Sequence, residues 1–293
     1  MGCLIPASQW NDLMERLESF IYRVRRSPLT LLGMGIILSL VLTALFAPFI
    51  APYDPYQIDP PNRLKPPSLD HWFGTDTAGR DIFSRVVFGT RISIRIGVTV
   101  VFLAVVVGSL IGLFSGYFGG RFDLVVMRIT DIFFSIPYLI LAMAITAALG
   151  PGLLNAMISL SLVWWPVYAR LIRGQVLQVR EAPYIEAARG LGASRRRIIF
   201  RHVLPNSITP IIVQCSLDFG NAIMYAAALS FIGLGAQPPT PEWGAMISLA
   251  RNYIQDSWWF ATFPGLAILV TVIGFNLLGD GIRDMTDPRL RET

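Results

Sequence analysis

Charge is scarce in this chain of 293 residues: Asp, Glu, Lys and Arg make up 15% of it, against 54% hydrophobic residues. Soluble domains carry about a quarter charged residues, and the mean hydropathy here is +0.56. Histidine and cysteine are almost missing, with two of each. No H-E-x-x-H or C-x-x-C spacing occurs, so only His71 and His202 offer imidazole to a metal, and no built-in metal site is expected. The single lysine, Lys65, sits in Arg63-Leu64-Lys65-Pro66, which excludes a G-x-x-x-x-G-K-[ST] phosphate loop. The chain is therefore not its own ATPase of that kind. Cys3 lies in a polar stretch and Cys215 in an apolar one, so both are expected as free thiols.

What is present is apolar length. Between Ile132 and Ala169 there is no charged residue at all. Roughly 20 apolar residues cross the hydrocarbon core, so that stretch holds two crossings. Six segments are expected as membrane-spanning helices: Leu29–Ile50, Ile96–Phe118, Leu124–Leu149, Leu153–Leu171, Ser207–Leu234 and Trp258–Leu278. Lipid offers no partner to unpaired backbone groups and nothing reads as a closed barrel, so the fold class is all-α. The first run starts too late and is too long for a cleavable signal peptide, and Pro6 breaks the myristoylation pattern. Gly108, Gly112 and Gly116 recur every fourth residue, which puts a smooth groove on one face of the second span.

The formal charge of +5 is explained by arginine on cytoplasmic loops, without invoking nucleic acid. With both termini inside, the inner pieces collect Arg16, Arg23, Arg25, Arg26, Arg121, Arg128, the cluster from Arg170 to Arg201, Arg283, Arg289 and Arg291. The outer pieces keep basic residues balanced by acids such as Asp54, Asp59, Asp76, Asp81 and Glu242. The chain thus divides into a cytoplasmic tail 1–28, a transmembrane body 29–280 and a cytoplasmic tail 281–293. The body carries an outer loop 51–95 and an inner loop 174–205.

Ionisable residues inside the membrane are the first place to look for function. Asp131 follows Arg128 by three residues and can pair with it on one helix face. Asp218 shares a helix face with Gln214 and Asn221. These three either line a pathway or hydrogen-bond a neighbouring helix. An intramembrane aspartyl protease would need two such acids. Leu277-Leu278-Gly279-Asp280 resembles its G-x-G-D signature, with Leu277 where the first Gly belongs. A proton-coupled secondary transporter would show paired repeats and interrupted helices, which are not evident.

The inner loop reads EAPYIEAARGLGASRRRIIFRHVLPN over Glu181–Asn206. Its first part predicts a short helix over Glu181–Leu191, with Pro183 in the first turn and Gly190 and Gly192 ending it. Ser194 caps a second stretch, Ala193–His202, which Pro205 stops. Glu186-Ala187-Ala188, then Gly192 after three residues, then Leu204-Pro205, resembles the EAA-loop signature of permeases of ATP-binding-cassette importers. His202 stands where the general pattern prefers Ile. Four further stretches resemble the "C" permease of the dipeptide, oligopeptide and nickel importer family: FGTDTAGRDIFSRV (Phe73–Val86), MRITDIFFSIP (Met127–Pro137), LSFIGLGAQPPTPEWGAM (Leu229–Met246) and FNLLGDGIRD with DPRLR (Phe275–Arg291).

The resemblance implies a six-helix, MetI-like permease fold of a type I importer in the bacterial inner membrane. It implies a related second permease, two ATP-binding subunits that hold ATP and Mg, an external substrate-binding protein, and surrounding lipid. No cofactor belongs to this chain, and no catalytic residue. The residues implied in coupling to the ATPase are Tyr184, Glu186, Ala187, Ala188, Gly190, Gly192, Leu204 and Pro205. Di- and oligopeptides are the implied substrates.

Overall fold

The computed structural model describes residues 27–286, which leaves the N-terminal tail, Cys3 and the DPRLR stretch outside the described residues. The chain is helical: α1 (Pro28–Leu45), α2 (Ala47–Ile50), α3 (Ile82–Phe118), α4 (Gly120–Phe134), α5 (Tyr138–Leu149) and α6 (Leu153–Val179). There follow α7 (Pro183–Gly190), α8 (Arg195–Arg197), a π-helical turn (Ile198–Val203), α9 (Leu204–Ser207), α10 (Thr209–Phe231), α11 (Trp243–Ala250) and α12 (Trp258–Thr286). Among the described residues no strand forms beyond one bridge between Thr75 and Asp81.

Four helices, α1, α3, α10 and α12, are long and apolar enough to cross a membrane. A fifth crossing is the pair α4–α5 if counted as one span, but its two halves meet at a bend of 92°. The expected continuous third span, 124–149, is therefore corrected to a broken one. Pro137 has no N–H to donate and disfavours helical geometry at Ile136, so the ladder ends at Ser135 and restarts after Pro137. The helix α6, 27 residues long, has the length to span. Its polar and indole side chains make it less apolar than the others, so a sixth span does not follow from length and apolarity. The expected second span, 96–118, is the end of a longer helix, α3, which starts at Ile82 where Asp81 caps it, accepting a hydrogen bond from Ser84 N at 2.7 Å.

The centre of the bundle is the pair α3 and α6, and the glycine groove explains their closeness. A Cβ added at Gly108 would strike the carbonyl of Trp165, and one at Gly112 the carbonyl of Ala169. Helix backbones can come this near only where side chains are absent. Around this seam Ile96, Val100, Leu113, Leu160, Tyr168, Ile172 and Leu229 are buried. The helix α10 closes over both, and α12 packs on α10 and on α1.

A second cluster sits under the loop 51–81, where Ile82, Ile223, Trp243, Met246 and Phe260 are buried together. Polar groups lock this region. Asp76 is fully buried and accepts from Arg80 Nε at 2.6 Å and from the backbone of Ala78 and Arg80. Arg85, 1% exposed, lies 3.6 Å from Asp76 and donates to the carbonyls of Pro55 at 2.8 Å and Pro239 at 3.2 Å. The indole of Trp243 donates to Val86 O at 3.0 Å. The loop after α10 is thereby tied to the loop after α2.

Candidate functional site: the inner helical hairpin

The hairpin from α7 to α9 follows the C-terminal end of α6. Pro183 is tolerated because the first helical turn needs no N–H there. Ile185 is fully buried and plants α7 on the bundle, where Ile198, Ile199 and Val203 join it. The turn after α7 needs a left-handed residue, and Gly192 supplies it at φ +79°. Ala193 N then donates to Ala188 O at 3.0 Å. Ser194 caps α8 as expected, accepting from Arg197 N at 3.4 Å.

One expectation about this hairpin is corrected. Pro205 does not stop the second stretch; it lies in the first turn of α9, and the chain stays helical almost without a break into α10. A proline ring clashes with the carbonyl four residues back in a regular helix. Here the preceding turn widens, with Leu204 N donating to Ile199 O, and Pro205 is absorbed.

What the hairpin leaves bare is its outer face. Tyr184 is 47% and Leu191 89% exposed, with Glu186, Ala187 and Gly190 exposed between them. A Cβ at Gly190 or Gly192 would meet nothing within 4 Å. Ala188 and Leu204 are half-buried and Pro205 is exposed at the far end of the hairpin. Sequence spacing thus brought Tyr184 to Gly192 together on one knob, and set Leu204-Pro205 where the knob rejoins the bundle.

The root of the knob is held by pairings that sequence reading did not single out. Arg173 grips Asp123 with two nitrogens, at 2.5 and 2.6 Å. Arg180 donates to the carbonyl of Gly116 at 2.7 Å. The salt bridge expected between Arg128 and Asp131 is long, 4.0 Å. Asp131 instead takes Arg170 at 2.7 Å, whose guanidinium also stacks over Phe134 at 4.2 Å. The signal for these pairs was weak, since each joins helices separated by dozens of residues.

The second group of candidates, Gln214, Asp218 and Asn221, lies inside the bundle. Asp218 is 3% exposed and accepts from Tyr168 Oη at 2.7 Å and from Gln214 Nε2 at 3.1 Å, while Asn221 lies one turn further along the same helix. These bonds join Asp218 on α10 to Tyr168 on α6. Cys215 beside it is a free thiol. Among the described residues no group of three or more His, Cys, Asp or Glu could hold a metal ion.

Long apolar helices, a broken span and an exposed helical knob are the frame of a membrane permease. The chain matches the family "Binding-protein-dependent transport system inner membrane component" over residues 108–292 and "N-terminal TM domain of oligopeptide transport permease C" over residues 8–67. It is 54% identical, over 92% of its own length and 90% of the relative's, to the "Probable D,D-dipeptide transport system permease protein DdpC" of Escherichia coli. It is 46% identical to the dipeptide transport system permease protein DppC of Alkalihalophilus pseudofirmus, covering 98% of this chain and 94% of that one. The glutathione transport system permease protein GsiD of Escherichia coli is 46% identical, with 94% and 91% covered. Among solved structures, the inward-facing MetNI methionine ABC transporter shares the fold at a TM-score of 0.57 and 21% identity, covering 70% of this chain and 98% of that one. This chain belongs to the binding-protein-dependent transport permeases, in the oligopeptide permease C branch. The protease and secondary-transporter readings find no support.

Proposed function

We propose that this protein is one of two permease subunits of a bacterial importer of di- and oligopeptides, and that the knob around Glu186 is where an ATP-binding subunit engages it. The observation that carries the coupling assignment is the bare outer face of α7, small and polar on a buried apolar base. A surface of that kind suits insertion into a groove on another protein. Small Ala187 and Gly190 permit close approach, Glu186 supplies a polar contact, and the ion pairs at its root transmit force into α4 and α6.

The remaining parts of the reading follow. Six spans place both termini in the cytoplasm, with 29–280 as the transmembrane body and segments 1–28 and 281–293 inside. The partners are a related permease, two ATP-binding subunits carrying ATP and Mg, and a substrate-binding protein that docks on the outer loops. Closure of the ATPase pair moves the knobs together, and the permeases rock between inward- and outward-open arrangements as rigid bodies. A peptide substrate is supported by the names of relatives that carry D,D-dipeptides, dipeptides and glutathione. All are short chains with amide groups and charged ends.

The test is to co-express this chain with the neighbouring permease, ATPase and binding-protein genes and to reconstitute the complex in vesicles. ATP-driven uptake of a labelled dipeptide, stimulated by the binding protein, is the expected result. Uptake of a chemically unrelated solute, with no peptide carried or copurified on mass spectrometry, would overturn the substrate assignment.

A further inference from the structure

We infer that a pocket between the end of α3 and the inner hairpin is a seat for the phosphate of an anionic phospholipid. The cavity has a volume of about 420 Å³ and is lined by Tyr117, Phe118, Arg189, Ala193, Arg195 and Ile198. Three features point to a phosphate carried by lipid.

The first is depth. Tyr117 and Phe118 are the last residues of the apolar helix α3, set edge to face at 5.4 Å, with Phe118 54% exposed. Aromatic rings at the end of a span occupy the level of lipid headgroups. The second is charge. No acidic residue lines the cavity. None of the ion pairs among the described residues includes Arg189 or Arg195. Two arginines thus line one cavity that no acid lines, and guanidinium binds phosphate oxygens through paired N–H donors. The third is composition of the floor. Ala193 and Ile198 pack on the apolar core, so the pocket offers a greasy wall beside its cations, as an amphiphile requires and a free anion does not. Basic pockets of this kind between helices at the inner face are a recurrent headgroup site.

This inference rests on reading α3 as a membrane span, but it does not depend on what is transported. An occupied pocket would tie the hairpin to the membrane surface and hold α7 at a defined height for its partner.

The experiment uses the whole purified complex, exchanged into detergent with dioleoylphosphatidylglycerol or dioleoylphosphatidylcholine, and reads retained lipid by native mass spectrometry. The glycerol lipid should be retained in preference to the choline lipid. Arg189→Gln with Arg195→Gln should lower that retention about thirtyfold, from the loss of two cations near the headgroup. Arg196→Gln with Arg197→Gln removes the same charge outside the pocket and should leave it unchanged. Equal loss in both pairs would mean diffuse attraction and overturn the site. Displacement of the lipid by millimolar inorganic phosphate would transfer the pocket to a free anion and overturn the lipid source. Loss of the ATPase subunit with lipid retention intact would make these arginines a protein contact and overturn the inference. None of these outcomes tests peptide uptake, so a failed transport assignment leaves the result readable.

Discussion

The hydroxyl of Tyr168 donates a 2.7 Å hydrogen bond to the carboxylate of Asp218, joining α6 to α10 at a point where both residues are buried. A carboxylate in such surroundings is stable only with donors around it. The bond makes Asp218 a brace of the bundle in our reading, and its consequences can be measured.

Tyr168→Phe removes that donor and leaves the carboxylate under-satisfied, a loss of about 1–3 kcal/mol. The melting temperature of the assembled complex should fall, with uptake per surviving complex unchanged. Asp218→Asn keeps one acceptor oxygen and should cost less. A transport defect in Asp218→Asn at normal stability would return the residue to the pathway.

Glu186→Lys reverses charge on the exposed face of α7 without touching the core. The variant should insert and assemble at ordinary levels, yet lose ATP-driven uptake and binding-protein-stimulated ATPase activity. Survival of both activities in reconstituted vesicles would sink the coupling role of that residue.

Gly112→Val should separate α3 from α6, because the new side chain meets the carbonyl of Ala169 rather than a flexible side chain. Overpacking of this kind costs about 1–3 kcal/mol. The expected readout is reduced copurification of the partner permease and a lower melting temperature. Gly35→Val, where a Cβ meets nothing within 4 Å, is the matched control.

Arg85→Met breaks the tie between the two outer loops. Removing one partner of a buried charge pair costs about 3–5 kcal/mol, softened here because Arg80 still holds Asp76. Limited proteolysis should open the segment 51–81 in the variant while the wild type stays resistant.

Glu242 carries a pH signature. It precedes α11 in the loop after α10 and caps α11, accepting from Gly244 N at 3.0 Å and Ala245 N at 2.8 Å. Burial raises its carboxyl above the usual glutamate range, and the hydrogen bonds offset this only in part. The folded state therefore holds this proton more tightly than the unfolded state. Its stabilising contribution is complete below the ordinary glutamate value and disappears as pH rises through the raised value. The melting temperature of the wild type should fall relative to Glu242→Gln over that window. A constant difference between the two would refute the assignment.

Much of the fold was legible because membrane helices announce themselves by length and apolarity, and the glycine spacing on α3 announced a close contact. The knob was legible because Pro183, Gly192 and Ser194 act on their own backbone within a few residues. The break at Pro137 could have been read from the same proline rule, but an uninterrupted apolar run outweighed it. The outer-loop lock was visible only as the motif Phe73–Val86, with no hint that Arg85 would reach Pro239.

The amino-acid sequence by itself determined that this chain is built of long apolar helices, and that a short hairpin bounded by Pro183, Gly192 and Ser194 interrupts them. These follow from local quantities: hydropathy over a window, turn chemistry and residue spacing. Only the tertiary structure decided that Asp218 answers to Tyr168, that Asp131 prefers Arg170 to Arg128, and that Arg189 and Arg195 share a pocket with the end of α3. Each of those pairings joins residues remote in the chain, and a hydrogen bond or ion pair depends on where packing puts two atoms, which no local pattern records.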